Sequence, residues 1–201
     1  MVDITFYKNI FSSLITYSIY LIPAYLLGSI PFGLILTKLT GYGDIRKSGS
    51  GNIGATNVFR KSKFLGGATL LCDLGKGALS VYLCKILLND YLLEILSGVA
   101  VILGHIFPVW LKFKGGKGVA TAIGVFFITN WLVGISIAFA WIIAFIIFRI
   151  SAVGALVAFA AAPILTHFIT HDPRLTVANS LICALVIVRH KENIEKIIKD
   201  L

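Results

Sequence analysis

The chain has 201 residues, of which 58% are hydrophobic and 13% are charged, and its mean hydropathy is +0.93. A single water-soluble domain rarely tolerates such a composition, so the sequence indicates an all-α integral membrane protein. The formal net charge of +9 does not indicate nucleic-acid binding, because the chain lacks RNA-binding and helix-turn-helix patterns. We expect the basic side chains to flank membrane helices and to face anionic lipid headgroups.

Seven apolar stretches follow one another, and we predict a single membrane domain over residues 1–201 with seven transmembrane helices. A helix needs about 20 apolar residues to cross a hydrocarbon core about 30 Å thick. The stretches that begin at Val119 and Thr176 are shorter, so these helices would be tilted, partly buried or extended into their flanks. The predicted spans are 14–36, 64–88, 91–111, 119–129, 131–148, 151–170 and 176–188.

The first span contains Pro23 and Pro31, which would break a helix in water. A membrane helix tolerates proline where neighbouring groups satisfy the freed carbonyls, so we predict a kink there. A cleavable signal peptide is the competing interpretation of this segment. The segment is much longer than the apolar region of a signal peptide and has no basic start beyond Lys8, so we treat it as a retained helix.

Basic residues test the orientation independently, because cytoplasmic loops of membrane proteins collect Lys and Arg. Of the 18 basic residues, 14 fall on one side of the seven-span arrangement. With an odd number of spans, this bias places the N-terminus outside and the C-terminus in the cytoplasm. The 14 residues are Lys38, Arg46, Lys47, Arg60, Lys61, Lys63, Lys112, Lys114, Lys117, Arg149, Arg189, Lys191, Lys196 and Lys199.

Cysteine and acidic residues give no indication of a metal, a disulfide or another cofactor. Cys72, Cys84 and Cys183 fall in apolar segments without a histidine or a second cysteine at ligand spacing. The nine acidic residues form no clustered D-x-x-D arrangement, which membrane phosphotransferases with cytidine-diphosphate substrates need to hold divalent cations. We therefore expect neither a metal nor a cofactor.

Residues 48–57 read SGSGNIGATN and contain G-x-G-x-x-G, which is typical of dinucleotide-binding folds. That signature belongs to a βαβ unit, whereas this segment connects two predicted membrane helices. The glycines would still let backbone N–H groups converge on an anion, and Arg60 adds a forked cation suited to phosphate. The uncharged donors nearby are Ser50, Asn52, Thr56 and Asn57.

A second glycine-rich segment, GHIFPVWLKFKGGKGVAT at residues 104–121, connects the third and fourth spans on the same predicted side. It leads into a helix N-terminus, where free N–H groups attract anions. It is not a Walker A loop, since Gly118 stands where a hydroxyl residue is required. For either loop alone, a flexible turn whose lysines meet lipid phosphates is an equally good interpretation, but two loops on one side favour an anion site. The candidate residues are Lys114, Gly115, Gly116, Lys117 and Gly118.

Two further groups of polar residues stand out. In the tail segment VRHKENI, His190 and Asn193 are three residues apart and share a face if the last helix continues. In the second span, Asp73 and Lys76 lie on one helical face and would form an ion pair inside the membrane. We predict that this pair supports the structure and orients a neighbouring loop, without acting directly in catalysis.

Three segments resemble, in order, the three motifs of PlsY, a family of bacterial membrane acyltransferases: GSGNIGATNVFR at 49–60, GHIFPVWLKFKGGKGVAT at 104–121 and RHKENI at 189–194. LGSIPFG at 27–33 and the stretch 73–76 match as well, although Ile53 stands where many members have proline. The resemblance implies transfer of an acyl chain from acyl phosphate to the 1-hydroxyl of glycerol 3-phosphate. The products would be inorganic phosphate and lysophosphatidic acid, in the first step of phospholipid biosynthesis. It also implies a seven-helix, multi-pass protein of the bacterial cytoplasmic (inner) membrane, with an active site that faces the cytoplasm.

Such a reaction requires the protein to hold two mutually repelling phosphates and to stabilise charge as the tetrahedral intermediate forms. We assign this task to Ser50, Arg60 and Lys117, helped by backbone groups. The backbone groups lie around Gly51, Gly115, Gly116 and Gly118. Further candidates for substrate binding are Asn52, Thr56, Asn57 and Lys114, and Glu192 joins Asp73 and Lys76 as structural support.

Three groups are candidates for accepting the proton of the attacking hydroxyl: His190, His105 and a phosphate oxygen of the substrate. We favour the substrate phosphate, with His190 and Asn193 orienting glycerol 3-phosphate and no covalent intermediate. His105, near a helix end, is the second histidine candidate and would otherwise only hold its turn.

A membrane transporter of an anionic phosphate ester is the alternative function, because broken helices in transporters aim their N-termini at such ligands. The two halves of the sequence show no repeat, and the candidate loops lie at one membrane face, so transport is the weaker hypothesis. We expect a monomer whose partners are acyl phosphate, glycerol 3-phosphate and membrane lipids, and no nucleic acid.

Overall fold

The computed structural model describes residues 4–199, with side chains from residue 15 onward except residue 16. Within this part of the chain all regular structure is helical, and two 3-10 turns, Ile45–Lys47 and Val109–Leu111, accompany the α-helices. The α-helices are α1 (Ile4–Gly28), α2 (Phe32–Leu39), α3 (Ala55–Phe59), α4 (Lys63–Leu88), α5 (Tyr91–Ile106), α6 (Val119–Thr129), α7 (Trp131–Phe148), α8 (Ser151–Thr170), α9 (Pro173–Val188) and α10 (Lys191–Lys199).

Three segments in the described residues are long and apolar enough to cross a membrane: Tyr91–Leu111, Trp131–Phe148 and Ser151–Thr170. The bent pair α1 and α2 adds a fourth if it is counted as one span, while α6 and α9 are apolar but shorter. In α4, which has 26 residues, Asp73 and Lys76 interrupt the apolar sequence. The predicted all-helical architecture is confirmed, whereas the seven spans and their orientation stay predictions.

The first predicted span is broken between α1 and α2. The segments Tyr17–Gly28 and Phe32–Leu39 meet there at 42°. Pro31 directly precedes α2 and has no N–H to donate, and the residue before a proline is disfavoured in helical conformation. Pro23, in contrast, lies inside α1, which continues through it. The predicted kink is therefore found at Pro31 and not at Pro23.

The backbones of α4 and α6 approach each other closely. Gly77 of α4 faces the Thr121 carbonyl of α6, and Gly124 of α6 faces the Leu74 carbonyl of α4. A Cβ at either glycine would fall on that carbonyl, so only glycine permits the approach. The start of α6 is thereby held against α4, and the second glycine-rich loop leads directly into this start.

A core of fully buried side chains joins α5 through α9. Its members come from every one of these helices and include Val101, Phe126, Ile137, Phe159 and Val186. Burial of apolar side chains of this size contributes about 1.5–3 kcal/mol each in water, and in a membrane close packing takes over that role. The core therefore holds α5, α6 and α9 together, and the connections at their ends carry the motif residues.

The motif-bearing connections meet at one end of the helix bundle. Thr56 in α3 places its Oγ1 3.1 Å from Oγ of Ser151, the first residue of α8. Lys117, just before α6, donates a hydrogen bond to the side chain of Asn193 in α10. Segments that are far apart in the sequence therefore form one polar surface at this end.

Candidate active site

The first glycine-rich loop is wrapped around the side chain of Asn57. The Asn57 amide nitrogen donates to the carbonyls of Ile45, Ser48 and Asn52 at 3.2, 3.0 and 2.8 Å, and its Oδ1 accepts from the Ser50 N–H at 3.0 Å. The side chain is buried, and both of its polar atoms form hydrogen bonds within the loop. We expected Asn57 to contact substrate, but its place is inside the loop, which it organises.

Gly49 and Gly51 make this tight wrapping possible. Their φ angles are +59° and +69°, in the left-handed region that side-chain-bearing residues avoid. A Cβ at Gly49 would fall on Oδ1 of Asn57 and lie 3.4 Å from Nη1 of Arg60. The Arg60 guanidinium therefore lies beside the loop, next to the exposed Ser50.

Asn52 and Thr56 also take part in the loop structure. Asn52 accepts the Gly54 N–H with its Oδ1 at 2.9 Å, and the Thr56 hydroxyl pairs with Ser151 at 3.1 Å. Asn52 is half-buried, and Thr56 is exposed like Arg60. The sequence drew no attention to Ser151, because a serine at a helix start is an ordinary residue there.

The second glycine-rich loop folds back on the end of α5. The Gly115 N–H donates to the Ile106 carbonyl at 3.1 Å, and the Gly116 N–H donates to the His105 carbonyl at 3.0 Å. These two N–H groups are thus used inside the protein, contrary to our expectation that they bind phosphate. Gly118 adopts φ +89° and precedes α6, and a helix start carries N–H groups without intrahelical partners. The backbone N–H groups that remain without an intrahelical partner are therefore those at the start of α6.

Lys117 connects this loop to the tail. Its Nζ donates a hydrogen bond to Oδ1 of Asn193 in α10. Burial lowers the pKa of Lys117, the Glu192 carboxylate counteracts this, and the nearby cations Arg189, Lys196 and Arg60 lower the pKa further. Lys117 therefore lies in a strongly basic region, and Glu192 partly balances that charge.

Lys114, the other lysine of this loop, is exposed. The preceding residues Lys112 and Phe113 both have positive φ, +52° and +62°, so the chain turns sharply before it reaches Lys114. Among the described residues, no recorded contact ties Lys114 to Arg60, Lys117 or His190. It stays a peripheral candidate for substrate binding.

His190 lies buried at the end of α9, beside Lys117. Its Nδ1 is 2.7 Å from the Val186 carbonyl, which can only accept, so Nδ1 carries the proton and Nε2 of the neutral ring is an acceptor. Burial lowers the pKa of His190, the hydrogen bond to Val186 opposes this, and the charges of Lys117 and Arg189 lower the pKa further. His190 is therefore neutral at pH 7.

The predicted ion pair in the second span is present. Nζ of Lys76 lies 2.9 Å from Oδ1 of Asp73, with side-chain exposures of 1% and 3%. Nδ1 of His105 lies 3.5 Å from the same carboxylate oxygen. All three side chains are buried, and the second glycine-rich loop packs against the His105 ring at Gly116.

Arg189 also lies at the candidate site, although its sequence context indicated only a basic residue of the tail. Its Nη2 donates to the Gly115 carbonyl at 3.4 Å, and its guanidinium carbon lies 5.6 Å from the centre of the Phe107 ring. Its position directly before His190, at the start of the third motif, could have marked it as a candidate. The site thus contains three cations from distant segments: Arg60, Lys117 and Arg189.

This arrangement suits the binding of phosphates. Guanidinium and ammonium groups together with a helix N-terminus form a strongly attractive environment for anions. Among the residues that the structure describes, no three His, Cys, Asp or Glu side chains come together as a metal site would require.

Comparison with known proteins identifies the family. The glycerol-3-phosphate acyltransferase family model matches residues 18–200. The chain is 49% identical over 176 residues to a glycerol-3-phosphate acyltransferase of Paramagnetospirillum magneticum, covering 87% of each chain. It is 48% identical over 185 residues to one of Ehrlichia canis, covering 91% of this chain and 95% of the relative.

Solved structures agree with this result. The fold is similar to the crystal structure of PlsY, an integral membrane glycerol 3-phosphate acyltransferase, in its glycerol 3-phosphate form, with a TM-score of 0.87 and 35% identity. The lysophosphatidic acid form gives a TM-score of 0.85 and 34% identity, and both matches cover 92% of this chain and 93% of the other. The predicted resemblance is confirmed: this integral membrane protein belongs to the glycerol-3-phosphate acyltransferase family of PlsY.

Proposed function

We propose that this protein transfers a fatty acyl group from acyl phosphate to the 1-hydroxyl of glycerol 3-phosphate, releasing inorganic phosphate and lysophosphatidic acid. Its family supports the acceptor, and the PlsY structures similar to it were determined in glycerol 3-phosphate and lysophosphatidic acid forms. The observation that carries the proposal is the convergence of Arg60, Lys117 and Arg189 near the start of α6. Three cations at one place offset the charge of two phosphates held side by side.

The cations reduce the repulsion between the two substrates. Acyl phosphate and glycerol 3-phosphate are both anions, and bringing their reacting atoms together is the main task, since acyl phosphate is already activated. We assign Ser50 and Arg60 at the first loop, and Lys117 with the start of α6 at the second, to phosphate binding. The same donors stabilise the negative charge that develops on the carbonyl oxygen in the transition state.

The proton of the attacking hydroxyl goes to a phosphate oxygen of the acyl phosphate. The hydroxyl oxygen bonds to the carbonyl carbon, the bond from that carbon to the phosphate oxygen breaks, and the phosphate leaves with the bonding electrons. His190 is poorly suited as the base, since a protonated ring would lie buried beside Lys117 and Arg189. We assign His190 and Asn193 to orienting glycerol 3-phosphate, with no covalent intermediate.

A membrane location suits an acyl donor with an apolar chain and a charged phosphate. The acyl chain is apolar and remains among lipid tails, while its phosphate lies at the polar end of the bundle. The connections that form this end carry most of the basic residues, which supports a cytoplasmic active site in the inner membrane. We propose a monomer, because residues of a single chain build the whole cation cluster.

The donor is tested with purified protein in detergent, without added metal. Palmitoyl phosphate and glycerol 3-phosphate are supplied in one reaction, and palmitoyl-CoA replaces palmitoyl phosphate in a second. Mass spectrometry follows lysophosphatidic acid, and a colorimetric assay follows phosphate. We expect product from palmitoyl phosphate alone, lost in Lys117→Ala and retained in Lys61→Ala, which removes an exposed lysine outside the cluster. Product from palmitoyl-CoA alone would overturn the proposed donor.

A further inference from the structure

A buried polar network lies directly behind the second glycine-rich loop. Lys76 of α4 pairs with Asp73 at 2.9 Å, and its Nζ also donates to the Ile30 carbonyl at 2.9 Å. Ile30 lies in the break between α1 and α2. The ammonium group therefore binds a carboxylate on its own helix and a carbonyl at the break.

His105 connects this network to the loop. Its Nδ1 lies 3.5 Å from Oδ1 of Asp73, and its backbone carbonyl accepts the Gly116 N–H at 3.0 Å. The other edge of the ring lies against Gly116, where an added Cβ would fall on Nε2. The ring thus fills the space between the Asp73 carboxylate and the loop backbone, and the residue after Gly116 is Lys117.

We propose that Asp73, Lys76 and His105 are positioning residues that set the place of Lys117. The Asp73 carboxylate lies 3.5 Å from Nδ1 of the His105 ring, the ring packs against the loop at Gly116, and Lys76 pairs with the carboxylate. The inference rests on the proposed role of Lys117 in phosphate binding.

The buried charges make this support rigid. A carboxylate in an apolar interior must keep its partners, because leaving it unpaired is costly, so the ring and the ammonium group have few alternative positions. The backbone approach of α4 to α6 fixes the other side of the loop. Lys117 therefore projects from a segment held from both ends, which a loop of three glycines would not achieve by itself.

A double-mutant cycle between His105 and Gly116 tests the contact. Since φ of Gly116 lies outside the left-handed region, an alanine there is opposed mainly by the His105 ring. We expect Gly116→Ala and His105→Ala each to lower kcat/KM for glycerol 3-phosphate roughly 10- to 100-fold, as displacement of a binding group does. In the double variant the ring is gone and the methyl group has room, so the combined loss is much smaller than the product of the two.

Two further measurements separate positioning from general packing and from base catalysis. Gly98→Ala is the matched control, since its Cβ would meet Val125 in the helix core, away from the loop. It should lower the melting temperature without changing the KM for glycerol 3-phosphate, whereas Gly116→Ala raises that KM. The pH profile of kcat/KM in His105→Ala should keep its shape, because a positioning residue neither takes up nor releases a proton in the reaction.

A second pair of variants tests the positioning role of Asp73 even if a single substitution prevents folding. Asp73→Asn leaves the Lys76 charge unpaired, so we compare it with Asp73→Asn/Lys76→Met, which removes both charges. The double variant should regain thermal stability but keep a raised KM. Multiplicative losses in the His105 and Gly116 cycle, or a normal KM in the stable double variant, would overturn the proposal. Calorimetry measures glycerol 3-phosphate binding to the same variants without an acyl donor. Its result therefore does not depend on whether acyl phosphate is the donor.

Discussion

Lys117 and Asn193 are 76 residues apart in the chain, and the ammonium group of Lys117 donates a hydrogen bond to the side-chain oxygen of Asn193. This contact joins the second glycine-rich loop to α10. It also fixes the direction of the lysine, since a lysine side chain without a partner samples many rotamers. The tail thus contributes to the candidate site through a residue that holds Lys117, the cation we assign to phosphate binding, in place.

Removal of this contact should lower activity without removing the charge. We expect Asn193→Ala to lower kcat/KM for glycerol 3-phosphate about 10- to 100-fold, because a hydrogen bond to a charged group contributes about 1.5–3 kcal/mol. Steady-state kinetics with palmitoyl phosphate measure the loss. Glu195→Gln on the same helix is the control, as Glu195 only faces the exposed Lys191 at 4.0 Å. Equal losses in both variants would show that α10 as a whole is responsible.

The pH dependence of activity should report on Lys117. Burial lowers its pKa from the ordinary 10.5, so the ammonium group loses its proton, and its attraction for phosphate, at a lower pH than a free lysine does. We expect kcat/KM to fall on the alkaline side below pH 10.5, and Lys117→Arg to move this fall to higher pH. An unchanged alkaline limb in Lys117→Arg would assign the titration to another group.

Stability at acid pH should depend on His190. Its pKa in the folded protein lies below the ordinary 6.5, because burial disfavours the charged ring. Between the folded and unfolded pKa values the unfolded chain binds more protons, so the free energy of unfolding rises with pH through this range. We expect the melting temperature to drop as the pH falls below 6.5, and to drop less in His190→Gln. An equal dependence of the melting temperature on pH in the two proteins would contradict this account.

The first loop should collapse without Asn57. Asn57→Ala removes the side-chain donor that ties the carbonyls of Ile45, Ser48 and Asn52 together, and we expect a loss of about 1–3 kcal/mol in unfolding free energy together with most of the activity. Thermal unfolding in detergent and kcat/KM measure the two effects.

Asn130→Ala provides the control for this variant. Asn130 caps the start of α7 by accepting the Val133 N–H at 3.1 Å, in the connection between α6 and α7. Loss of a helix cap costs about 1 kcal/mol, so stability should fall while activity remains. Asn57→Ala with unchanged kinetics would show that the loop structure does not matter for catalysis.

Several candidate residues stand out in the sequence because polar residues in an apolar sequence are conspicuous. Arg60, Lys117 and His190 all stand in short polar motifs between long hydrophobic stretches, and the structure brings these motifs to one end of the bundle. The Asp73 and Lys76 pair was also predictable, because residues three apart on a helix share a face. Local spacing was sufficient in these cases.

The differences from the sequence-based expectations came from hydrogen bonds that local spacing does not reveal, some within a loop and some between distant segments. Glycine-rich loops predict free N–H groups, but those of Gly115 and Gly116 bind carbonyls at the end of α5. The Asn57 side chain could bind a substrate by its chemistry, but it lies at the centre of the first loop and bonds to the loop backbone. Arg189 was passed over because its partners, the Gly115 carbonyl and the Phe107 ring, are more than 70 residues earlier in the chain.

By itself the sequence determined a helical membrane protein with two glycine-rich loops and a polar tail motif, since hydropathy and local spacing are properties of neighbouring residues. Only the tertiary structure decided which donors remain available to a substrate and which are used within the protein. The physical reason is that a hydrogen bond depends on distances of about 3 Å, and across 76 residues such distances are set by the packing of helices.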